Sequence, residues 1–181
     1  MLDRKTVCIQ GLGFVGAAMA VAVAQARTSG GDRTYQVIGV DLQTDEGEAR
    51  VDALNRGVFP FPTVDQKLLS ALEKAHAAGN LTATTDESVY QSADVVVVDI
   101  PLDISFLDEE PQLRMSSLEQ AIRVVGKQVP AGALVLIETT VPPGTCENVV
   151  VPVLQDELHR RNLDQHAIHL AFSFERVMPG N

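Results

Sequence analysis

Three glycines carry the clearest capacity for chemistry. Gly11, Gly13 and Gly16 fall in the spacing G-x-G-x-x-G within TVCIQGLGFVG, Thr6 to Gly16. A short apolar strand precedes them and a small-residue helical run follows, which is the setting of a dinucleotide-binding loop. Gly11 permits the tight turn out of the strand. Gly13 leaves no side chain where a pyrophosphate must approach the backbone, and Gly16 lets the helix pack closely on the strand. The helix start at Phe14 and Val15 offers N–H groups and a partial positive charge to phosphates. The same spacing also serves ordinary turns, so the acid at the end of the next apolar run matters. That acid is Asp41, 25 residues after Gly16. A carboxylate there accepts hydrogen bonds from both ribose hydroxyls and repels a 2′-phosphate, which favours NAD over NADP.

Other chemistry-bearing residues gather at the ends of apolar runs: Thr84-Thr85-Asp86, Asp99 to Asp103, Glu138 to Thr145 and Ser173 to Gly180. Cys8 lies inside the first strand and reads as core. Cys146 follows a turn with no base beside it in sequence. A helix N-terminus can depress a thiol pKa, but without a base Cys146 is not read as a nucleophile. His76, His159, His166 and His169 are scattered and read as surface residues, so no metal site is expected.

The elements that must position these residues follow in order. Thr6–Gln10 is a strand and 14–27 its helix, rich in Ala and Val on every side as suits a helix packed on a sheet. Residues 28–34 form a polar glycine turn, and 36–40 a second strand ending at Asp41. A short helix spans 46–54, and the apolar loop VFPFP follows at 58–62. Thr63 with Gln66 forms a capping box for a helix carrying Val64, Leu68, Leu72 and Ala75 on one stripe, with Gly79-Asn80 as the stop. Residues 81–84 are a short strand, and Thr85-Asp86-Glu87 cap a helical turn to Ser92. The run 94–100, DVVVVDI, reads as a central parallel strand buried on both faces. Residues 103–112 are acidic and read as an irregular mobile loop. Ser116 with Glu119 is a second capping box, and 133–137 another buried strand. Thr145 caps a helix to His159 that Pro152 kinks, and 167–172 is the last strand. A β-α-β start with further β-α steps predicts an α/β fold: a Rossmann-type, doubly wound, mostly parallel sheet in a single domain. Its strand ends place the residues above along one edge.

Composition narrows the function. The chain has 181 residues, 45% of them hydrophobic, enough for one sizeable core. The net charge of −10 argues against nucleic acid or an acidic membrane surface as partner. Two distant cysteines argue against a disulfide framework. No apolar run approaches the roughly 20 residues of a spanning helix. A cytoplasmic protein is the expectation.

Taken together, several segments carry a resemblance. GLGFVG at 11–16, VDL around Asp41, NRGVFPF at 55–61, LTATTD at 81–86 and ADVVVVDIP at 93–101 come first; ETTVPPGT at 138–145 and FERVMPGN at 174–181 complete the series. This series resembles the N-terminal NAD-binding domain of the UDP-sugar 6-dehydrogenases, over nearly the whole chain. The glycine loop is generic; T-V-P-P-G-T and E-R-V-x-P-G-N are specific. The latter, with Pro179 where glucose-type enzymes carry a second acid, looks most like the UDP-N-acetylmannosamine and UDP-N-acetylglucosamine branch.

The resemblance implies oxidation of a sugar C6 alcohol to a carboxylate in two NAD-dependent steps, through a cysteine thiohemiacetal and a thioester. It implies that Thr140 holds the catalytic water near C6 and that Glu175 is the acid/base of the hydrolysis. Gly11, Gly13, Phe14, Val15, Gly16, Asp41, Pro101 and Thr140 would contact NAD. The family's catalytic cysteine, its lysine and asparagine, its central dimer-building helix and its UDP-sugar domain lie beyond the matching segment. The implied reading of 1–181 is therefore one domain of a longer, homodimeric or larger enzyme, inactive alone, with an apolar patch where the central helix would pack. Two departures stand out. The family's proline-threonine-proline is Pro101-Leu102-Asp103 here, and Asp99 replaces a small neutral residue. A different Rossmann dehydrogenase of the hydroxyacid or 6-phosphogluconate type, and a stand-alone non-catalytic NAD-binding module, are the alternatives.

Overall fold

The computed structural model describes residues 4–107 and 110–174, leaving aside the side chains of 103–107 and 110–114. Six parallel strands form the central sheet: β1 (Lys5–Gln10), β2 (Tyr35–Val40), β3 (Leu81–Thr84), β4 (Val95–Val98), β7 (Leu134–Ile137) and β8 (His169–Phe172). Their spatial order is β3-β2-β1-β4-β7-β8. The order reverses between β1 and β4, which opens a crevice beyond their carboxyl ends.

Alternation along each strand feeds two apolar layers. Val7, Ile9, Val37 and Val97 face α1 (Phe14–Ala24) and α3 (Gln66–Ala78), together with Leu54 of α2 (Asp45–Asn55). Cys8, Val40, Val96, Val98, Val135 and Ile137 face α4 (Ser116–Gln128) and α5 (Val151–Arg160). β4 contributes to both layers, which explains why its sequence is a continuous β-branched run rather than an alternating one. At the sheet edge Phe172 and Phe174 are exposed.

The structure revises several local expectations. Residues 103–112 are not an irregular loop: β5 (Asp103–Leu107) and β6 (Glu110–Arg114) pair antiparallel, Asp103 with Arg114 and Leu107 with Glu110. The acids that suggested a loop crowd around the connection, while the flanking ISF is good strand sequence. The N-cap of α3 is Asp65 rather than Thr63. The Asp65 carboxylate accepts from Lys67 N at 2.8 Å and Leu68 N at 3.1 Å, while Thr63 accepts only from Asp65 N. A carboxylate is the stronger acceptor for these backbone donors. No capping box opens α4, whose N-cap is Met115 with no side-chain bond. Thr145 likewise makes no side-chain cap. The chain passes through a π-helical turn, Cys146–Val150, before α5. Pro152 has no N–H for the carbonyl four residues back, and Val151 N bonds instead to Cys146 O, five residues back. The irregularity expected at Pro152 therefore appears as a widened turn on its N-terminal side. α1 ends at Ala24, three residues short of Arg27.

Asn55 fixes the edge of the sheet. Its side-chain amide donates to Ala83 O at 2.9 Å, and its oxygen accepts from Ala83 N at 2.8 Å. The end of α2 is thereby pinned to the outer side of β3, where no further strand among the described residues would satisfy those groups.

Candidate functional site

The glycine loop sits where β1 hands over to α1. Gly11 N donates to Val40 O at 2.8 Å, and Asp99 N donates to Gln10 O at 2.9 Å. The loop is thus held between the ends of β2 and β4. Gly11 has φ +91°, and a Cβ there would lie 2.1 Å from Asp99 O. A Cβ at Gly16 would lie 1.9 Å from Gly11 O. Both positions exclude any side chain. Gly13 is different: a Cβ there would meet nothing within 4 Å. Its openness faces clear space at the start of α1, whose first turn carries no acidic residue and no side-chain cap. The N–H groups and positive end of α1 are therefore left to a ligand.

That space widens into a cleft of about 650 Å³ over the ends of β4 and β7, lined on one side by Gly13 to Gly16. Asp99 to Leu102 and Thr139 to Pro142 complete its walls. Thr139 ties the two strand ends together: its hydroxyl accepts from Ile100 N at 2.9 Å and lies 2.9 Å from Ile100 O. Thr140 is exposed on the cleft wall, as is Pro101. Glu175 lies outside the described residues.

On the other side of β1, Asp41 ends β2. Its Oδ1 accepts from Leu42 N at 2.8 Å and its Oδ2 lies 3.3 Å from an Arg50 guanidinium nitrogen. The Asp41 side chain is only 8% exposed, against 30% for Arg50, so the carboxylate is held in one orientation. Arg50 also reaches Glu46 at 3.3 Å and stacks 5.6 Å above the Phe61 ring. Phe61 packs with Phe59 and Phe14, ring centres 5.4–6.0 Å apart. The VFPFP loop thereby braces both the first residue of α1 and Arg50.

Sequence reasoning singled out the glycine loop, Asp41, Pro101 and Thr140, and the fold brings all of them to one edge of the sheet. It missed Arg50 and the Phe14-Phe59-Phe61 cluster. A cation nine residues beyond Asp41, one helical turn after Glu46, was the available signal for Arg50. The thiols are chemically quiet. Burial pushes Cys8 up to about 12, and burial followed by the nearby Glu147 raises Cys146. Neither has the depressed pKa of a nucleophile. Among the described residues no three His, Cys, Asp or Glu side chains form a metal-ligand set, and no helix is long and apolar enough to cross a membrane.

A parallel sheet in this order, with a glycine turn opening at its switch point, defines a Rossmann-type dinucleotide-binding domain. Comparison with known proteins makes the class specific. Residues 5–181 match the sequence model of the UDP-glucose/GDP-mannose dehydrogenase family, NAD binding domain, and the chain belongs to that family. It is 32% identical over 182 residues to the UDP-N-acetyl-D-glucosamine 6-dehydrogenase of Pseudomonas aeruginosa, covering 100% of this chain and 37% of that protein. It is 31% identical over 183 residues to the UDP-N-acetyl-D-mannosamine dehydrogenase of Escherichia coli K12, covering 99% and 39%. Among solved structures, the NDP-N-acetyl-D-galactosaminuronic acid dehydrogenase of Methanosarcina mazei superimposes with a TM-score of 0.84 at 30% identity, covering 98% of this chain and 36% of that one. The chain thus spans somewhat over a third of the length of these relatives. The cofactor of this domain is NAD, and its open first turn at Gly13 is the room such a cofactor requires.

Proposed function

We propose that this chain is the cofactor-binding part of a UDP-sugar 6-dehydrogenase, which oxidises a sugar C6 alcohol to a carboxylate with two NAD. The branch it resembles most is that of UDP-N-acetylmannosamine and UDP-N-acetylglucosamine. The observation that carries this reading is a family match that runs through both distinctive segments, 138–145 and 174–181, to the last residue.

Each residue then has a role. The N–H groups of the loop from Gly11 to Gly16, including Phe14 and Val15, hold the pyrophosphate, with the α1 dipole behind them. Asp41 takes the ribose hydroxyls, and Arg50 keeps its carboxylate in place. Pro101 and Thr140 border the nicotinamide half of the cleft. Bound NAD supplies the hydride acceptor. Thr140 offers a hydroxyl to a water near the reacting carbon, and Glu175 moves a proton to or from water during hydrolysis. A UDP-sugar is the substrate partner, a homodimer or larger assembly the working form, and the cytoplasm the location.

The test has two arms. Calorimetric titration of this chain should give saturable NAD binding and weaker NADP binding. NADH absorbance from UDP-N-acetylmannosamine, UDP-N-acetylglucosamine and UDP-glucose, followed with the complete gene product, reads the substrate class. NAD binding without turnover of any UDP-sugar would refute the dehydrogenase reading and leave a binding module.

A further inference from the structure

The first turn of α2 carries three acids, Asp45, Glu46 and Glu48, all of them exposed. Of the three, Glu46 alone enters an ion pair among the described residues: its Oε2 lies 3.3 Å from Nη2 of Arg50, one helical turn on. The other terminal nitrogen of Arg50, Nη1, lies 3.3 Å from Asp41 Oδ2. The guanidinium is thus gripped between two carboxylates, with its carbon 5.6 Å from the Phe61 ring centre. Local backbone geometry brings the carboxylates together. Thr44 Oγ1 accepts from Gly47 N at 3.1 Å, and a Cβ on Gly47 would lie 2.0 Å from Leu42 O. The first turn of α2 therefore closes directly onto the backbone that follows Asp41. Dinucleotide-binding domains that take a 2′-phosphate use an arginine near the ribose, and Arg50 is of that type, stacked on an aromatic ring. A guanidinium binds a phosphate through its free N–H donors. Here each terminal nitrogen already faces a carboxylate.

We propose that Glu46 is a positioning residue that sets cofactor specificity: by holding Nη2 of Arg50 it denies that guanidinium to a 2′-phosphate and reinforces the rejection of NADP begun by Asp41. The inference rests on the NAD reading of the site, with Asp41 as its ribose acid. NAD carries uncharged hydroxyls at that ribose, so Glu46 discriminates against NADP without a matching effect on NAD. The Glu46 side chain is 83% exposed, and exposed ion pairs are individually weak. Freeing Nη2 accordingly corresponds to about two- to fivefold in NADP affinity.

The experiment measures dissociation constants of this chain for NAD by calorimetry and for NADP by competition against NADH fluorescence, which reads weak binding as an inhibition constant. Wild type is compared with Glu46→Gln, which keeps the shape and removes the charge. Asp45→Asn and Glu48→Gln remove the same charge from the same turn and control for overall electrostatics. The ratio Kd(NADP)/Kd(NAD) should fall about two- to fivefold in Glu46→Gln, with the gain shrinking at high salt, and should hold in both controls. In an Arg50→Ala background, Glu46→Gln should leave the ratio where Arg50→Ala alone puts it. An unchanged ratio in a Glu46→Gln protein that melts cooperatively overturns the proposal. So does an equal fall in either control, which marks overall charge, or a fall that survives Arg50→Ala, which marks an effect not routed through Arg50. Wild-type protein that binds neither NAD nor NADH overturns the NAD reading itself, an outcome distinct from a fixed ratio.

Discussion

If Asp41 takes the ribose hydroxyls as proposed, one substitution beside Arg50 should reverse the cofactor preference. In the native site the Asp41 carboxylate is nearly enclosed and braced by Arg50 at 3.3 Å. Asp41→Ala removes a charged acceptor for the ribose hydroxyls. Hydrogen bonds to charged groups contribute about 1.5–3 kcal/mol, so NAD should bind between about tenfold and a hundredfold more weakly. NADP should move the other way. Its 2′-phosphate no longer meets a carboxylate and instead meets an Arg50 relieved of its Asp41 partner. A unit charge pair at contact is worth up to about 4 kcal/mol at an effective dielectric of 20. Arg50 is 30% exposed, so solvent and salt leave a fraction of that, or roughly a tenfold gain. The NAD/NADP preference should therefore shift by about two to three orders of magnitude. The assay is calorimetric titration of wild type, Asp41→Ala, Arg50→Ala and the double variant with both cofactors at two salt concentrations. The gain in NADP affinity should vanish in the double variant and shrink at high salt. An NAD affinity within twofold of wild type in Asp41→Ala, or an NADP gain that survives Arg50→Ala, would refute the reasoning.

Further expectations concern the loop, the sheet edge and a buried thiol. Gly16→Ala places a Cβ 1.9 Å from a backbone oxygen and should cost stability on the order of 2–3 kcal/mol, read by denaturant unfolding. Gly13→Ala meets nothing within 4 Å, so its unfolding midpoint should not move while its NAD affinity falls; a destabilised Gly13→Ala would mean the loop itself needs that glycine. Asn55→Ala strips both hydrogen bonds from Ala83 and should destabilise by about 1–3 kcal/mol, visible as a lower Tm. Cys8 adds a pH dependence. Its folded pKa of about 12 lies above the ordinary thiol value of 9.0, so folding favours the neutral form. Its contribution is complete below pH 9 and is lost as pH rises from there toward 12, at roughly 1.4 kcal/mol per pH unit. Unfolding free energies of Cys8→Ala across that range should show a shallower fall; an identical slope would place the effect elsewhere.

Legibility in the sequence followed the range of the forces involved. The glycine loop could be read because Gly11 and Gly16 answer close backbone contacts within the loop and Gly13 completes the spacing. Asp41 could be read because a βαβ unit fixes how far along the chain the next strand end must come. Caps were less legible: Thr63 and Ser116 each had the right partner three residues on, but Asp65 outcompeted the first, and Ser116 became the first residue of its helix, with Met115 in the cap position. The hairpin of β5 and β6 was hidden by its acids, since charge suggests solvent exposure and says nothing about backbone pairing.

By itself the sequence determined the class of fold, the glycine loop, the acid that follows β2 and the family, because these rest on chain-local geometry and on the order of short segments. Only the tertiary structure decided what surrounds them. It placed Arg50 on Asp41, set Phe61 between Phe14 and Arg50 with Phe59 packed on both rings, used Asn55 to close the β3 edge, and set the Asp99 carboxylate against Gly16. Each of these contacts joins residues whose separation along the chain carries no information about their distance in space. That distance is fixed by the burial of two apolar layers on a twisted sheet, and only the folded chain expresses it.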